Sequence, residues 1–183
     1  MIVIVGASAS GKSTLQKKML KQNDKLKKVI TYTTRPPRRG EKAGVDYHFV
    51  TENQFRKLIE DGFFVEYAEY RGWLYGTAKE DCNDSDDYIA VLTPSGLRAL
   101  KRTGIKTLSV YLFVDRRSLL LNILQRGDDI DESYRRNLSD HGQFDGVEDE
   151  VDYIIDNTAF HMDEDEVLKV MNTILKVAKD ERV

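Results

Sequence analysis

Gly6-Ala7-Ser8-Ala9-Ser10-Gly11-Lys12-Ser13 follows the spacing G-x-x-x-x-G-K-[ST], between a short apolar run, Ile2–Val5, and a helix-forming segment, Ser13–Gln22. A strand, a glycine-rich loop and a helix in that order leave few folds open. Glycines let the backbone wrap a phosphate with successive N–H groups turned inward. The helix that follows adds the partial positive charge of its amino terminus. A brief apolar run ending in glycine reads as a buried strand of a parallel sheet. The spacing therefore predicts that Gly6, Ser8, Ala9, Ser10, Gly11, Lys12, Ser13 and Thr14 cradle a nucleoside triphosphate. Lys12 is expected at the β- and γ-phosphates, and the Ser13 hydroxyl on Mg²⁺.

Further strands are expected at Val29–Thr33, Tyr88–Leu92, Leu108–Val114 and Tyr153–Ile155. Helical patterns cover Glu52–Asp61, Ser95–Arg102, Arg117–Gln125 and Asp163–Lys179. The last has apolar residues at 167, 170, 171, 174, 175 and 178, with an acidic start and a lysine-bearing end; the first is helical spacing and the second suits the helix dipole. Alternating strands and helices predict an α/β fold of the P-loop NTPase kind, a doubly wound parallel sheet of about five strands. Two regions break the alternation. One is rich in Arg, Gly and Tyr, with strand-like pieces around 46–50 and 63–70; the other is polar and densely charged. Insertions at loop positions of such a sheet are where binding lobes and lids belong. The expectation is one domain with a core of 1–30, 78–125 and 151–183, an inserted lobe at 31–77 and a lid at 126–150.

Composition narrows the partners. A chain of 183 residues, 40% hydrophobic and 32% charged, suits one globular domain and neither a disordered tail nor a membrane protein. No run approaches the roughly 20 apolar residues needed to span a bilayer, and no basic segment precedes the apolar start as in a secretory leader. Cys82 stands alone, which excludes an intrachain disulfide and a cysteine metal site. A cytoplasmic protein is expected. The net charge of −3 hides a segregation: residues 1–42 hold eleven Lys/Arg against Asp24 and Glu41, and no Lys or Arg occurs from Asn137 to Leu168. The amino-terminal quarter is expected to handle an anion. Lys17, Lys18, Lys21, Lys25, Lys27 and Lys28 have no aromatic residue among them, so they read as a solvated face and not a nucleic-acid site. His48, His141 and His161 have no spacing that suggests metal or catalysis.

Beyond the loop, Thr31-Tyr-Thr-Thr-Arg35-Pro-Pro-Arg38-Arg39-Gly40-Glu41 is followed by Gly44-Val-Asp-Tyr47-His-Phe, then Phe64-Val-Glu66-Tyr-Ala and Tyr75-Gly76-Thr77. These blocks, in this order, resemble those of guanylate kinases: T-T-R-x-P-R-x-G-E, G-x-D-Y-x-F, a Glu before an aromatic-Ala pair, and Y-G-[ST]. The resemblance is dense over residues 1–77 and loose beyond. It implies that Arg35, Arg38, Tyr47 and Tyr75 hold the phosphate of an acceptor nucleoside monophosphate, work to which arginine forks and tyrosine hydroxyls are suited. Arg39 reads as a solvated charge. Glu66 falls on the family's base-reading carboxylate. Guanine offers N1–H and N2–H₂ side by side, so one carboxylate accepts both, whereas adenine would leave it unpaired. Thr31 and Thr77 fall where the family places hydroxyls against guanine; Glu69 is expected to face solvent.

The resemblance also implies a lid entered at Gln125-Arg126-Gly127, with Arg126 on the family's arginine. The next lid arginine aligns on Asn137, beside Arg135 and Arg136, and Arg136 is the better placed substitute. Such arginines stabilise the charge of a transferring phosphoryl group when the lid closes. Asn157 aligns with a residue near the donor adenine, although turn formation alone would explain it. Where the family carries D-x-D-x-Q-G, this chain has Val91-Leu-Thr93-Pro-Ser-Gly96. Both carboxylates are missing, and Thr93 is left to bond a ribose or a metal-bound water. Asp115 is expected as a helix cap. The function implied is transfer of the γ-phosphoryl group of MgATP to GMP or dGMP by a monomer or homodimer. The alternatives are a kinase of the same fold acting on another (deoxy)nucleoside monophosphate, and a non-catalytic guanylate kinase-like interaction module.

Overall fold

The computed structural model describes residues 1–38, 40–82, 88–125, 140, 142–158 and 163–180. Its parallel sheet has five strands in the order β2–β7–β1–β8–β9. These are β1 (Ile2–Val5), β2 (Lys27–Lys28), β7 (Tyr88–Val91), β8 (Leu108–Phe113) and β9 (Tyr153–Asp156). All four residues of β1 are buried, as a strand covered on both faces requires. The chain divides into two compact units. One comprises Met1–Val3 and Lys25–Thr107, the other Ile4–Asp24 and Leu108–Val183.

In the first unit, the apolar run at 29–33 is not one strand. β2 pairs with β7 as far as Lys28↔Ile89, and Val29 N–H extends the pairing to the Ile89 carbonyl. Two residues on, the Thr31 carbonyl accepts from His48 N–H, and β3 (Tyr32–Thr33) belongs to a separate sheet. β-branched residues favour strand in either place, and composition does not say with which partner. The second sheet has the order β4–β3–β6–β5, with β4 at His48–Phe49, β5 at Phe64–Tyr70 and β6 at Trp73–Ala78. β5 and β6 form an antiparallel hairpin closed by the pair Tyr70↔Trp73. Arg71 and Gly72 between them both have positive φ, 57° and 73°, the combination that a two-residue turn needs to match strand twist.

Helix α2 (Glu52–Glu60) begins with a reciprocal capping box between Thr51 and Gln54, worth about 1 kcal/mol. It buries Phe55, whose ring stacks on Phe64 at 4.5 Å and 26°. Gly76 lies beneath that pair: a Cβ there would come within 2.9 Å of Phe64 Cδ1 and 3.0 Å of Phe55 Cζ. Neither buried ring has room to swing, so Gly76→Ala should cost about 1–3 kcal/mol. A urea midpoint unmoved by the substitution would refute this. Helix α3 (Pro94–Arg102) starts at the N-cap Thr93 with Pro94 in its first turn, and buries Leu97 and Leu100.

In the second unit, α1 (Lys12–Gln22) and α5 (Glu164–Asp180) are joined by Lys18, which meets Glu164 at 3.1 Å and Asp165 at 2.7 Å. The pairs are exposed and contribute little stability. The apolar stripe of α5 buries Val167, Leu168, Met171, Ile174 and Ala178, whereas Val170 and Leu175 are only half-buried. Helix α4 (Arg116–Gln125) is capped by Asp115, whose carboxylate accepts from Ser118 N–H. Hydrogen bonds from Ser118 hold its pKa below the usual carboxylate range. β8 and β9 are in parallel register from Val110↔Tyr153 to Phe113↔Asp156. Among the described residues no helix is long and apolar enough to cross a membrane.

Candidate active site

The loop after β1 has the shape its glycines permit. A Cβ on Gly6 would lie 2.7 Å from both the Leu112 carbonyl and Ser10 Oγ, so no larger residue fits without moving backbone. Ala9 sits at φ 64° and Gly11 at φ 95°; the first costs a non-glycine residue about 1 kcal/mol. Ser10 N–H closes a turn on the Ala7 carbonyl at 3.2 Å. Gly11 is the N-cap of α1 and supplies no side chain to cap it, leaving the first-turn N–H groups and the positive end of the dipole to an anion. Lys12 folds back over the loop, with Nζ 2.6 Å from the Ala7 carbonyl. Ser13 is exposed and Thr14 half-buried.

Three side chains distant in sequence reach this loop. Asn122 of α4 donates Nδ2 to the Ala9 carbonyl at 3.1 Å, and Asn157 donates Nδ2 to the Ser10 carbonyl at 2.9 Å. Asp140 accepts from Ser8 N–H at 3.1 Å. Asn157, expected near a donor base, is 7% exposed and holds the loop itself.

The other candidate residues lie in the first unit, on the four-stranded sheet and its loops except for Thr93, which follows β7. Arg35 is 7% exposed. Its Nη2 binds both oxygens of Glu41 at 2.9 and 3.0 Å, and Nη1 donates to the Pro36 carbonyl at 2.8 Å. Nε–H and the second Nη1–H have no partner among the described residues, and they can donate to an anion. The guanidinium lies over the rings of Tyr47 at 5.3 Å and Phe49 at 5.9 Å, a placement that steers its plane. Glu41 also accepts from Arg38 N–H at 2.7 Å, so one carboxylate fixes the turn and the arginine together. Tyr47 meets Tyr75 edge-on at 6.2 Å. Burial, then the neighbouring Tyr75, pushes the Tyr47 pKa up, keeping it a neutral hydroxyl donor. Arg38 is exposed.

Glu66 stands opposite Thr77 across the hairpin, just past a register shift in β5. Such a bulge re-aims the residues beside it. Glu66 is 6% exposed, and its Oε1 accepts from the Thr77 hydroxyl at 2.5 Å. Oε2 is buried, with no hydrogen-bond partner among the described residues. Burial, partly offset by Thr77, raises the Glu66 pKa to about 7. Beside it, a Cβ on Gly96 would sit 3.6 Å from Oε2. Thr31 is buried. Thr93 is the cap of α3: its hydroxyl accepts from Gly96 N–H at 3.1 Å and pairs with Ser95 Oγ at 3.0 Å. The oxygen expected at a ribose or a metal-bound water thus also caps the start of a helix. Burial, then Glu66 and Asp81, pushes the Cys82 thiol to about 12, where it is inert.

A family model for guanylate kinase matches residues 1–177. The chain belongs to the guanylate kinase family. Guanylate kinase of Schizosaccharomyces pombe is 51% identical over 78 residues, 42% of this chain and 39% of that protein. Guanylate kinase of Sus scrofa is 36% identical over 146 residues, 75% of this chain and 73% of that one. That of Synechococcus sp. is 32% identical over 162 residues, 86% and 75% of the two chains. A crystal structure of guanylate kinase from Anaplasma phagocytophilum superimposes with a TM-score of 0.70 at 21% identity, over 97% of this chain and 85% of that one. At that identity the likeness speaks for the shared fold alone.

Within this family frame, Gly6 to Thr14 and Asn157 lie together in the second unit. Thr31, Arg35, Arg38, Tyr47, Glu66, Tyr75, Thr77 and Thr93 all lie in the first. Arg126 and Arg136, expected on the lid, fall outside the described residues, as does Arg39. Sequence reasoning missed Glu41, Asn122 and Asp140. Glu41 could have been found, because a carboxylate three residues after Arg38 can turn back onto its N–H. Nothing local marks Asn122 or Asp140; each reaches the loop only through folding.

Proposed function

We propose that this guanylate kinase family enzyme transfers the γ-phosphoryl group of MgATP to GMP or dGMP, giving ADP and GDP or dGDP. The observation that carries the base preference is Glu66 Oε2, a buried acceptor with no partner among the described residues. An orphaned buried oxygen costs about 1–3 kcal/mol, which a guanine N1–H and N2–H₂ edge would relieve. Thr77 already bonds Glu66, and by the family pattern Thr31 and Thr77 would turn hydroxyls to the same base. Residues 31–77 serve as the monophosphate-binding lobe, where Arg35, Arg38, Tyr47 and Tyr75 take the acceptor phosphate. The loop from Gly6 to Thr14 holds the donor phosphates.

In the reaction an acceptor phosphate oxygen bonds to the γ-phosphorus as the bond to ADP breaks. That oxygen is already ionised near neutral pH, so no general base is required. Lys12, with Arg126 and Arg136 of the lid at 126–150, would neutralise the equatorial oxygens of the moving group. The exposed Ser13 hydroxyl is a hard oxygen donor of the kind Mg²⁺ takes. Mg²⁺ held there would supply positive charge to the donor phosphates. The proposal extends to a cytoplasmic monomer or homodimer that acts on nucleotides and not on nucleic acid or membrane.

A coupled assay across the monophosphates tests the reading: turnover is expected with GMP or dGMP and not with AMP, and the absence of turnover with either guanine nucleotide would overturn it. Thr93 motivates a second reading. With no carboxylate at Val91 or Thr93 and the Thr93 hydroxyl engaged as a cap, another (deoxy)nucleoside monophosphate could be the better acceptor, and the same assay would show it. Arg35→Lys should raise the KM for GMP about 10- to 100-fold, because a point charge replaces a planar, stacked fork. The KM for ATP should stay within a factor of about two, and a parallel rise in both would count against Arg35 as an acceptor-phosphate residue.

A further inference from the structure

We propose that Asn122 and Asn157 act as a pair of positioning residues that aim the backbone N–H groups of the donor loop by holding two consecutive carbonyls. In a trans peptide the C=O and N–H vectors are opposed. Asn157 pins the Ser10 carbonyl at 2.9 Å, and this turns Gly11 N–H to the other side. Asn122 pins the Ala9 carbonyl at 3.1 Å, which directs Ser10 N–H toward the Ala7 carbonyl, where it closes the turn. Ala9 is the one non-glycine residue of the loop at positive φ. A strained conformation persists only where the surroundings over-determine it, and the Asn122 bond on the Ala9 carbonyl does that.

Both braces stand on firm supports in the unit that carries the loop. Asn122 projects from the middle of α4. Asn157 follows β9 directly, and its N–H continues the β8–β9 ladder onto the Phe113 carbonyl at 2.8 Å. Its carboxamide lies close enough that a Cβ on Gly11 would meet Nδ2 at 3.2 Å. The contacts use the donor end of each amide, and only a side chain with a hydrogen to donate could make them. An aspartate in either place would set an anion against a carbonyl and beside the expected phosphates.

The inference rests on the loop being the donor site, so the test begins with the unsubstituted protein. Mg²⁺-tripolyphosphate must bind to it, and if it does not, the donor-site reading fails before the brace is addressed. Asn122→Ala and Asn157→Ala are then titrated separately with Mg²⁺-tripolyphosphate and with adenosine, and the KM for GMP is measured in each. The expected result is about tenfold weaker tripolyphosphate binding in each variant, with adenosine binding and the KM for GMP unchanged. Unchanged tripolyphosphate affinity would overturn the proposal. So would a loss confined to adenosine in Asn157→Ala, which would make that residue a base contact. Equal losses for tripolyphosphate and GMP would overturn it as well, because they indicate general loosening. Asn122 is half-buried, so its variant remains a sound test should Asn157→Ala fold poorly.

Discussion

Glu66→Gln should cut kcat/KM for GMP by about 10³- to 10⁴-fold while leaving the KM for ATP unchanged. A site built to hydrogen-bond one substrate edge rejects a mismatch this strongly because buried polar groups are left unpaired. The carboxylate offers two acceptors, one on Thr77 and one without a partner among the described residues. A glutamine keeps one acceptor and turns an NH₂ toward the N–H donors of guanine. Discrimination against AMP should shrink by a similar factor, since adenine no longer leaves a buried carboxylate unpaired. A variant that keeps more than about a tenth of its GMP activity would remove Glu66 as the base reader.

The same substitution has a signature in stability that does not depend on substrate. The folded Glu66 pKa is about 7, against an ordinary value of 4.5. Between those two values the folded state holds more protons than the unfolded one, so the unliganded protein loses stability from this group as pH rises through the window. The full loss is on the order of 3 kcal/mol. The substituted glutamine has no charge to desolvate and should not follow this slope. The stability difference between variant and parent should therefore move by about 3 kcal/mol in the variant's favour between about pH 4.5 and pH 8. Urea midpoints at both pH values give the comparison. A difference that is flat with pH would mean that Glu66 is not held in a desolvated pocket.

Residues whose roles are local are legible in the amino-acid sequence. Gly6 and Gly11 announce a loop that only glycine can make, and the strand and helix on either side follow from the apolar run and the lysine-rich segment. Phe55 and Phe64 are plainly core residues, yet that they stack over Gly76 is invisible, because a glycine before threonine could equally be a turn. The run at 29–33 misleads for a related reason. Strand propensity describes a residue's comfort on a pleated surface and says nothing of which sheet receives it. Thr93 carries a second, local signal beside its place in the family pattern: the Pro94 that follows it marks it as the cap of α3, as local helix rules expect. Asn122 needs the fold itself, since 113 residues separate it from the carbonyl it holds.

Lys12→Met should lower kcat about 10³-fold or more, with binding of GMP and the stability of the protein little changed. The methionine retains most of the stem and removes the ammonium, so the variant isolates charge from packing. In the unliganded loop that ammonium donates to the Ala7 carbonyl at 2.6 Å, which keeps it over the loop. Interactions made only as charge shifts along the transferring group appear in kcat and not in KM. Loss of one such preorganised cation or donor costs about 10²- to 10³-fold, and a cation on a phosphoryl transfer can be worth about 10³ to 10⁵. Arginine should not rescue the activity. The lysine stem runs close over Gly6, where an added Cβ would sit 3.4 Å from Lys12 Cδ, and a planar fork has no room to fold along that path. Single-turnover rates at saturating ATP make the measurement, and a Lys12→Met rate within about tenfold of the parent would move the chemistry away from this loop.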